Sequence, residues 1–155
     1  MTETRSNPVV YLPNEAPSLT VAGHPMRVLS TAKHSRRACM FDWIVPPRFA
    51  TGLHIHRVQE ETFYVLEGVC EWRIGDRTVT AARGAYVFIP PNTPHDIRNP
   101  GDAPARLLMT VSPPGHERYF EELASLTAQG RPDPAALADL RRRFDTDQLS
   151  TLTVA

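Results

Sequence analysis

The sequence predicts an all-β sandwich or barrel followed by two short C-terminal helices. Three observations carry that prediction. Between about residues 36 and 112, short apolar segments recur at regular spacing and are separated by turn signals. The chain of 155 residues holds 15 prolines against 8 glycines, enough breakers to interrupt long helices. After Pro113-Pro114-Gly115 the apolar period changes from two to that of a helix.

Taken in order, residues 1–35 carry Pro8, Pro13, Pro17 and Pro25 among short apolar pieces such as Val9-Val10-Tyr11-Leu12 and Met26-Arg27-Val28-Leu29. They read as an N-terminal arm with one or two edge strands. Strands are then expected over 38–45, 50–56, 61–67, 69–74, 77–81, 85–89, 95–99 and 105–111, so that 36–112 forms the barrel. Gly75-Asp76 is a two-residue hairpin signal, and Ala82-Arg83-Gly84 and Asn99-Pro100-Gly101-Asp102 are further turns. Eight short strands of this kind make an antiparallel sandwich or barrel.

Residues 113–155 supply C-terminal helices and a tail to the same single domain. Phe120, Leu123 and Leu126 recur at helical spacing to about Gln129, and Gly130 stops the helix. Asp133 is an N-cap with Pro134 at the first helical position, and Leu137, Leu140 and Phe144 form the stripe to be buried. Arg141-Arg142-Arg143 beside that stripe reads as a solvated face. Leu149 to Ala155 is expected to return as an edge strand.

Composition excludes several functions. Seventeen basic residues balance seventeen acidic ones, whereas nucleic acid and anionic membranes both demand a basic surface. No apolar run approaches bilayer length, and Met1-Thr2-Glu3-Thr4-Arg5 is not followed by the apolar stretch of a signal peptide. A cytoplasmic location is expected. Cys39 and Cys70 fit no CxxC pattern and read as two buried thiols of a reducing compartment.

One cluster carries chemistry. His54 and His56 are two apart, so a strand places both imidazoles on one face. Glu61 is five residues on and would point away if that strand continued. The polar stretch Arg57-Val58-Gln59-Glu60 is therefore a connection, with Glu61 opening the next strand and turned inward again. His95 follows the turn Pro90-Pro91-Asn92-Thr93-Pro94, which can deliver a strand end to the same interior. Three neutral imidazoles and a carboxylate suit one divalent transition metal (Fe, Mn, Co, Ni, Cu or Zn) and not Ca or Mg.

These residues resemble the cupins, small β-barrel proteins with a metal in the barrel. The first cupin motif ends H-x-H-x(3,4)-E-x(6)-G, matched by His54, His56, Glu61 and Gly68; the glycine fixes Glu61 rather than Glu60 as the carboxylate. The second, G-x(5)-P-x-G-x(2)-H-x(3)-N, maps onto Gly84, Pro90, Asn92, His95 and Asn99. Two motif glycines are replaced, one by Arg48 and one by Asn92. The resemblance covers roughly 38–112 and implies a double-stranded β-helix, the jelly-roll barrel. Outside the motifs, His24, His34 and His116 read as bland residues of loops or termini. Trp43, Phe63, Trp72, Tyr86 and Phe88 read as core, Phe63 and Val65 as cavity lining on Glu61's face, and Asn99 as structural.

The stretches Glu-Thr-Phe-Tyr-Val-Leu-Glu-Gly and Pro-Pro-Asn-Thr-Pro-His, with Val-Ser-Pro-Pro-Gly before an amphipathic helix, resemble the bacterial quercetin 2,3-dioxygenase-like cupins. That resemblance implies a dioxygenase acting on a small-molecule aromatic enol or phenol, with Glu61 both ligand and proton acceptor. The same group is similar to cupin cyclases of polyketide pathways, which need the metal without oxygen. A third alternative is a non-catalytic binding module, and residues 1–35 are too short and proline-rich to be an appended DNA-binding domain. The terminal elements resemble those with which cupins dimerise, so a homodimer is expected.

Overall fold

A computed structural model describes residues 7–150. The strands are β1 (Ser18–Val21), β2 (His24–Ser30), β3 (Cys39–Val45), β4 (His54–Ile55), β5 (Glu60–Glu67), β6 (Val69–Ile74), β7 (Arg77–Ala82), β8 (Tyr86–Ile89), β9 (His95–Arg98), β10 (Ala105–Ser112) and β11 (Asp147–Gln148); the helices are α1 (His116–Thr127) and α2 (Pro134–Arg143). They form two antiparallel sheets, one ordered β1-β2-β3-β10-β5-β8 and the other β11-β4-β9-β6-β7. Strands that follow one another in sequence alternate between sheets in the second half of the barrel, which is the double-stranded β-helix.

Inward residues fill the space between the sheets by simple alternation. Strand β10, for example, buries Ala105, Leu107, Met109 and Val111 and turns the residues between them outward. Phe41, Trp72, Val65, Cys70 and Leu107 are completely buried at the centre. Cys39 and Cys70 are both buried and unpaired, as expected, and burial raises each thiol pKa to about 11. Gly75-Asp76 joins β6 to β7 in register, with Ile74 opposite Arg77.

Both departures from the glycine positions of the cupin motifs occur where the backbone is left-handed, with φ of 61° at Arg48 and at Asn92. Glycine adopts that conformation freely, and asparagine tolerates it better than arginine does. Gly68 has the same requirement at φ +75° and a second one. A Cβ there would stand 2.9 Å from the Ala105 Cα.

Several expectations need correction. The arm is less of an edge than predicted, because β2 pairs with β3 as well as β1, and Val9 to Leu12 forms no strand. The strand expected over 50–56 shrinks to His54–Ile55, since Gly52 breaks the extended run with φ 73°. The returning strand comes at Asp147–Gln148, earlier than predicted, and residues 151–155 lie outside the described ones. Tyr86 and Phe88 are 64% and 46% exposed rather than core, because Val87 and Ile89 take the inward phase of β8.

The helices close one mouth of the barrel. Asp133 caps α2, its carboxylate accepting from the Ala136 N–H at 3.0 Å. Phe120 of α1 meets Phe41 edge-on with ring centroids 4.9 Å apart. Asn99 has the predicted structural role, donating to the Val45 and Ala103 carbonyls at 3.1 and 2.8 Å. No helix among the described residues is long and apolar enough to cross a membrane.

Candidate metal centre

The fold brings His54, His56, Glu61 and His95 together. All four are buried, and one potential ligand atom from each lies within 4.8 Å of the others. Register explains the meeting: His54 pairs directly with His95 across β4 and β9, and Glu61 enters from the facing sheet. The neighbouring Glu60 is exposed on the other face of β5.

Each imidazole is fixed from behind. Its Nδ1–H donates to a backbone carbonyl: His54 to Gly52 at 2.7 Å, His56 to Asp145 at 2.8 Å and His95 to Thr93 at 2.9 Å. A carbonyl can only accept, so Nδ1 carries a proton, and in the neutral ring Nε2 keeps its lone pair. The Nε2 of His56 has no hydrogen-bond partner and stands 3.5 Å from Glu61 Oε1, while that of His95 stands 3.0 Å from Glu61 Oε2.

Neutral rings would turn lone pairs toward a carboxylate in a buried space, an arrangement that repels unless a metal ion sits among them or a proton occupies Nε2. Two donors about 2.1 Å from one ion stand about 3.0 Å apart at right angles and about 3.4 Å apart at the tetrahedral angle, close to the 3.0 and 3.5 Å separations here. The residues fit a divalent transition metal. Burial alone would raise the Glu61 pKa, but His56 and His95 outweigh it and hold the carboxyl well below its usual range. Burial drives His54 down to about 3, with His95 adding to the effect, so it is a neutral donor.

Glu61, His54 and His56 open onto a cavity of about 150 Å³ whose walls include Met26, Trp43, Phe49, Met109 and Phe120. Phe63 and Val65 do not line it, contrary to expectation; Phe63 packs on Trp72, 5.9 Å between centroids, and fills the barrel beyond the site. Three further residues join the cavity that sequence reasoning passed over. His24 lies in β2 and lines the wall. His116 is 3% exposed at the start of α1, its ring 6.3 Å from that of His56, and burial lowers its pKa to about 4. Arg141 turns inward, whereas Arg142 and Arg143 are the solvated residues predicted.

A signal for two of these existed. His116 stands four before Phe120, and Arg141 four after Leu137, so both extend the apolar stripes of their helices. Asp145 left no such trace. Its carboxylate accepts from the backbone N–H groups of Arg57, Val58 and Gln59 at 2.8 to 2.9 Å, securing the loop between His56 and Glu61.

Comparison with known proteins agrees with this geometry. Residues 41–111 match the family described as the cupin domain. The barrel is a cupin fold. The chain superposes on the RmlC-like cupin of Shewanella frigidimarina with a TM-score of 0.62 at 16% identity, covering 74% of this chain and 99% of that one. KdgF from Halomonas sp. gives 0.62 at 11% identity, covering 72% and 99%. At these identities the likeness is one of fold. In sequence, 75 residues are 39% identical to the protein designated uncharacterized protein MJ1618 of Methanocaldococcus jannaschii, a match over 48% of this chain and 60% of that relative. The four clustered side chains lie within the cupin segment, while His116, Arg141 and Asp145 lie beyond it.

Proposed function

We propose that this cupin is a metal-dependent dioxygenase acting on a small aromatic enol or phenol. The observation that supports this reading is an ionised, buried Glu61 beside three oriented imidazoles at the edge of an apolar cavity. A divalent transition metal held by His54, His56, Glu61 and His95 would polarise a chelating substrate oxygen and lower its pKa. Glu61 is the one carboxylate lining the cavity among the described residues, and it is the group that takes the enol proton. The apolar walls favour a flat unsaturated substrate and exclude water from the resulting anion.

Both atoms of dioxygen enter the product, so the reaction needs no external reductant. A cavity of about 150 Å³ is the size that holds a single aromatic ring. That size favours one-ring substrates over the multi-ring flavonols and polyketides to which the sequence resemblance points. Redox-neutral cyclisation or isomerisation would use the same residues without oxygen.

The test is to load the protein in turn with each candidate metal and supply one-ring phenols, flavonols and anthraquinone-type precursors, with and without air. Oxygen uptake matched to product formation is expected. Turnover that persists under strict anaerobiosis overturns the dioxygenase in favour of a redox-neutral enzyme. A metal-loaded protein that converts none of them favours a binding module.

A further inference from the structure

Arg141 is the cation of the candidate cavity, and the described residues offer it no carboxylate. Its neighbours on α2 show the contrast. Arg142 pairs with Asp139, and Arg143 pairs with Glu122 and Asp139, on the solvated side of the helix. Arg141 instead reaches the Thr51 carbonyl, at 3.4 and 3.5 Å from its two terminal nitrogens, the side-chain oxygen of Gln148 and the Tyr119 hydroxyl. Its Nε is buried without any partner. The first two contacts anchor the guanidinium to the cavity wall beside β4, because Thr51 precedes His54 by three residues and Gln148 pairs with His54 across β4 and β11.

A guanidinium half withdrawn from water, with a buried Nε–H that nothing accepts, gains from a counter-charge that meets it. Glu61 shares the cavity but is committed to His56 and His95. Among the described residues no other carboxylate reaches Arg141, and a ligand can supply one. We propose that the substrate carries a carboxylate apart from its chelating oxygens, and that Arg141 is the positioning residue that binds it. This rests on the metal-centred reading above and adds the substrate's charge to it. Guanidinium suits the role because its planar fork matches a carboxylate and never loses its proton. With a divalent ion and one ionised ligand, the centre would keep a positive charge, so ion and guanidinium together would favour an anionic substrate.

The experiment compares 3,4-dihydroxybenzoate with 3,4-dihydroxybenzamide on the full chain loaded with zinc. Both probes offer the same chelating diol on one ring, and only the acid has a carboxylate. Calorimetric titration should show the acid binding roughly tenfold to a hundredfold more tightly, the range of a charge-assisted hydrogen bond. Arg141→Gln should erase that preference, the ratio of the two affinities falling to about one, and Arg141→Lys should restore part of it. A merely structural Arg141 would weaken both probes alike. Equal affinities of the two probes for the parent protein, a measurement that needs no variant, would overturn the proposal, as would a preference surviving in Arg141→Gln. Zinc content of the same samples separates the two readings. A chain that holds zinc without preferring the acid defeats this proposal alone. One that holds no zinc, yet prefers benzoate to benzamide through Arg141, defeats the metal reading alone.

Discussion

Replacing Asp145 with alanine should damage a site that Asp145 never enters. Its carboxylate accepts three backbone N–H groups, those of Arg57, Val58 and Gln59, at 2.9, 2.9 and 2.8 Å. A hydrogen bond to a charged group contributes about 1.5–3 kcal/mol when buried. This loop is half exposed, so water replaces part of each lost bond and about 1 kcal/mol apiece is the reasonable figure. Asp145 also holds a φ of 55°, which alanine resists at a further cost of about 1 kcal/mol. The sum is roughly 3–4 kcal/mol, or a fall in Tm of about 6–16 °C for a chain of this length. Since the loop links His56 to Glu61, metal affinity should fall by about 10- to 100-fold as well. Asp145→Asn tolerates the same backbone and keeps one acceptor oxygen, so it should lie between. Thermal unfolding by circular dichroism and elemental analysis after dialysis measure the two effects. An Asp145→Ala protein within about 1 °C of the parent and with full metal content would refute the reasoning, because the three bonds would then contribute nothing.

Other substitutions probe other parts of the argument. Elemental analysis should find close to one equivalent of a first-row transition metal in the parent, most of it lost in His95→Ala and Glu61→Gln and retained in Glu60→Gln; equal loss from the two glutamate variants would count against the register. Gly68→Ala should destabilise the barrel by about 2–3 kcal/mol in denaturant titration, combining a positive φ with a clash against the Ala105 backbone. Asp42 is held below its usual pKa, chiefly by the bidentate Arg106 and then by Arg27, against the opposing effect of burial. A depressed folded pKa means stability present above the unfolded value near 3.9 and lost as pH falls through the folded one. Asp42→Asn should thus cost about 2 kcal/mol at pH 7, with the gap to the parent narrowing in acid; a gap independent of pH would rule out the ionic origin.

The barrel was legible in the sequence because its strands alternate and its turns are punctuated by residues such as Gly75-Asp76 and Gly84. The four clustered side chains were legible for a similar reason: the spacing from His54 to Gly68 fixes which residues face inward. What escaped was whatever depends on contact between distant segments. Nothing local marks Asp145 as the partner of a loop 86 to 88 residues away. The inward turn of Arg141 was hidden for a different reason, since two solvated arginines beside it made the triplet look uniform. Phe63 and Val65 were given the correct face but the wrong depth, because alternation sets direction and says nothing of distance along the barrel.

The carbonyl of Asp145 that aims His56, and the two-residue strand that flanks His54, give the site an order of assembly during synthesis. The barrel strands through Ser112 leave the ribosome first, with all four clustered side chains already made, and Tyr119, Phe120 and Leu140 of the same core follow. His56 has no fixed tautomer or direction until the segment 145–148 arrives and docks. A nascent barrel is therefore a poor metal trap for most of its translation, and becomes a good one only when the last turn of α2 has been passed. The choice of ion would then fall to what surrounds a chain already made through residue 148 rather than to what a shorter one meets first.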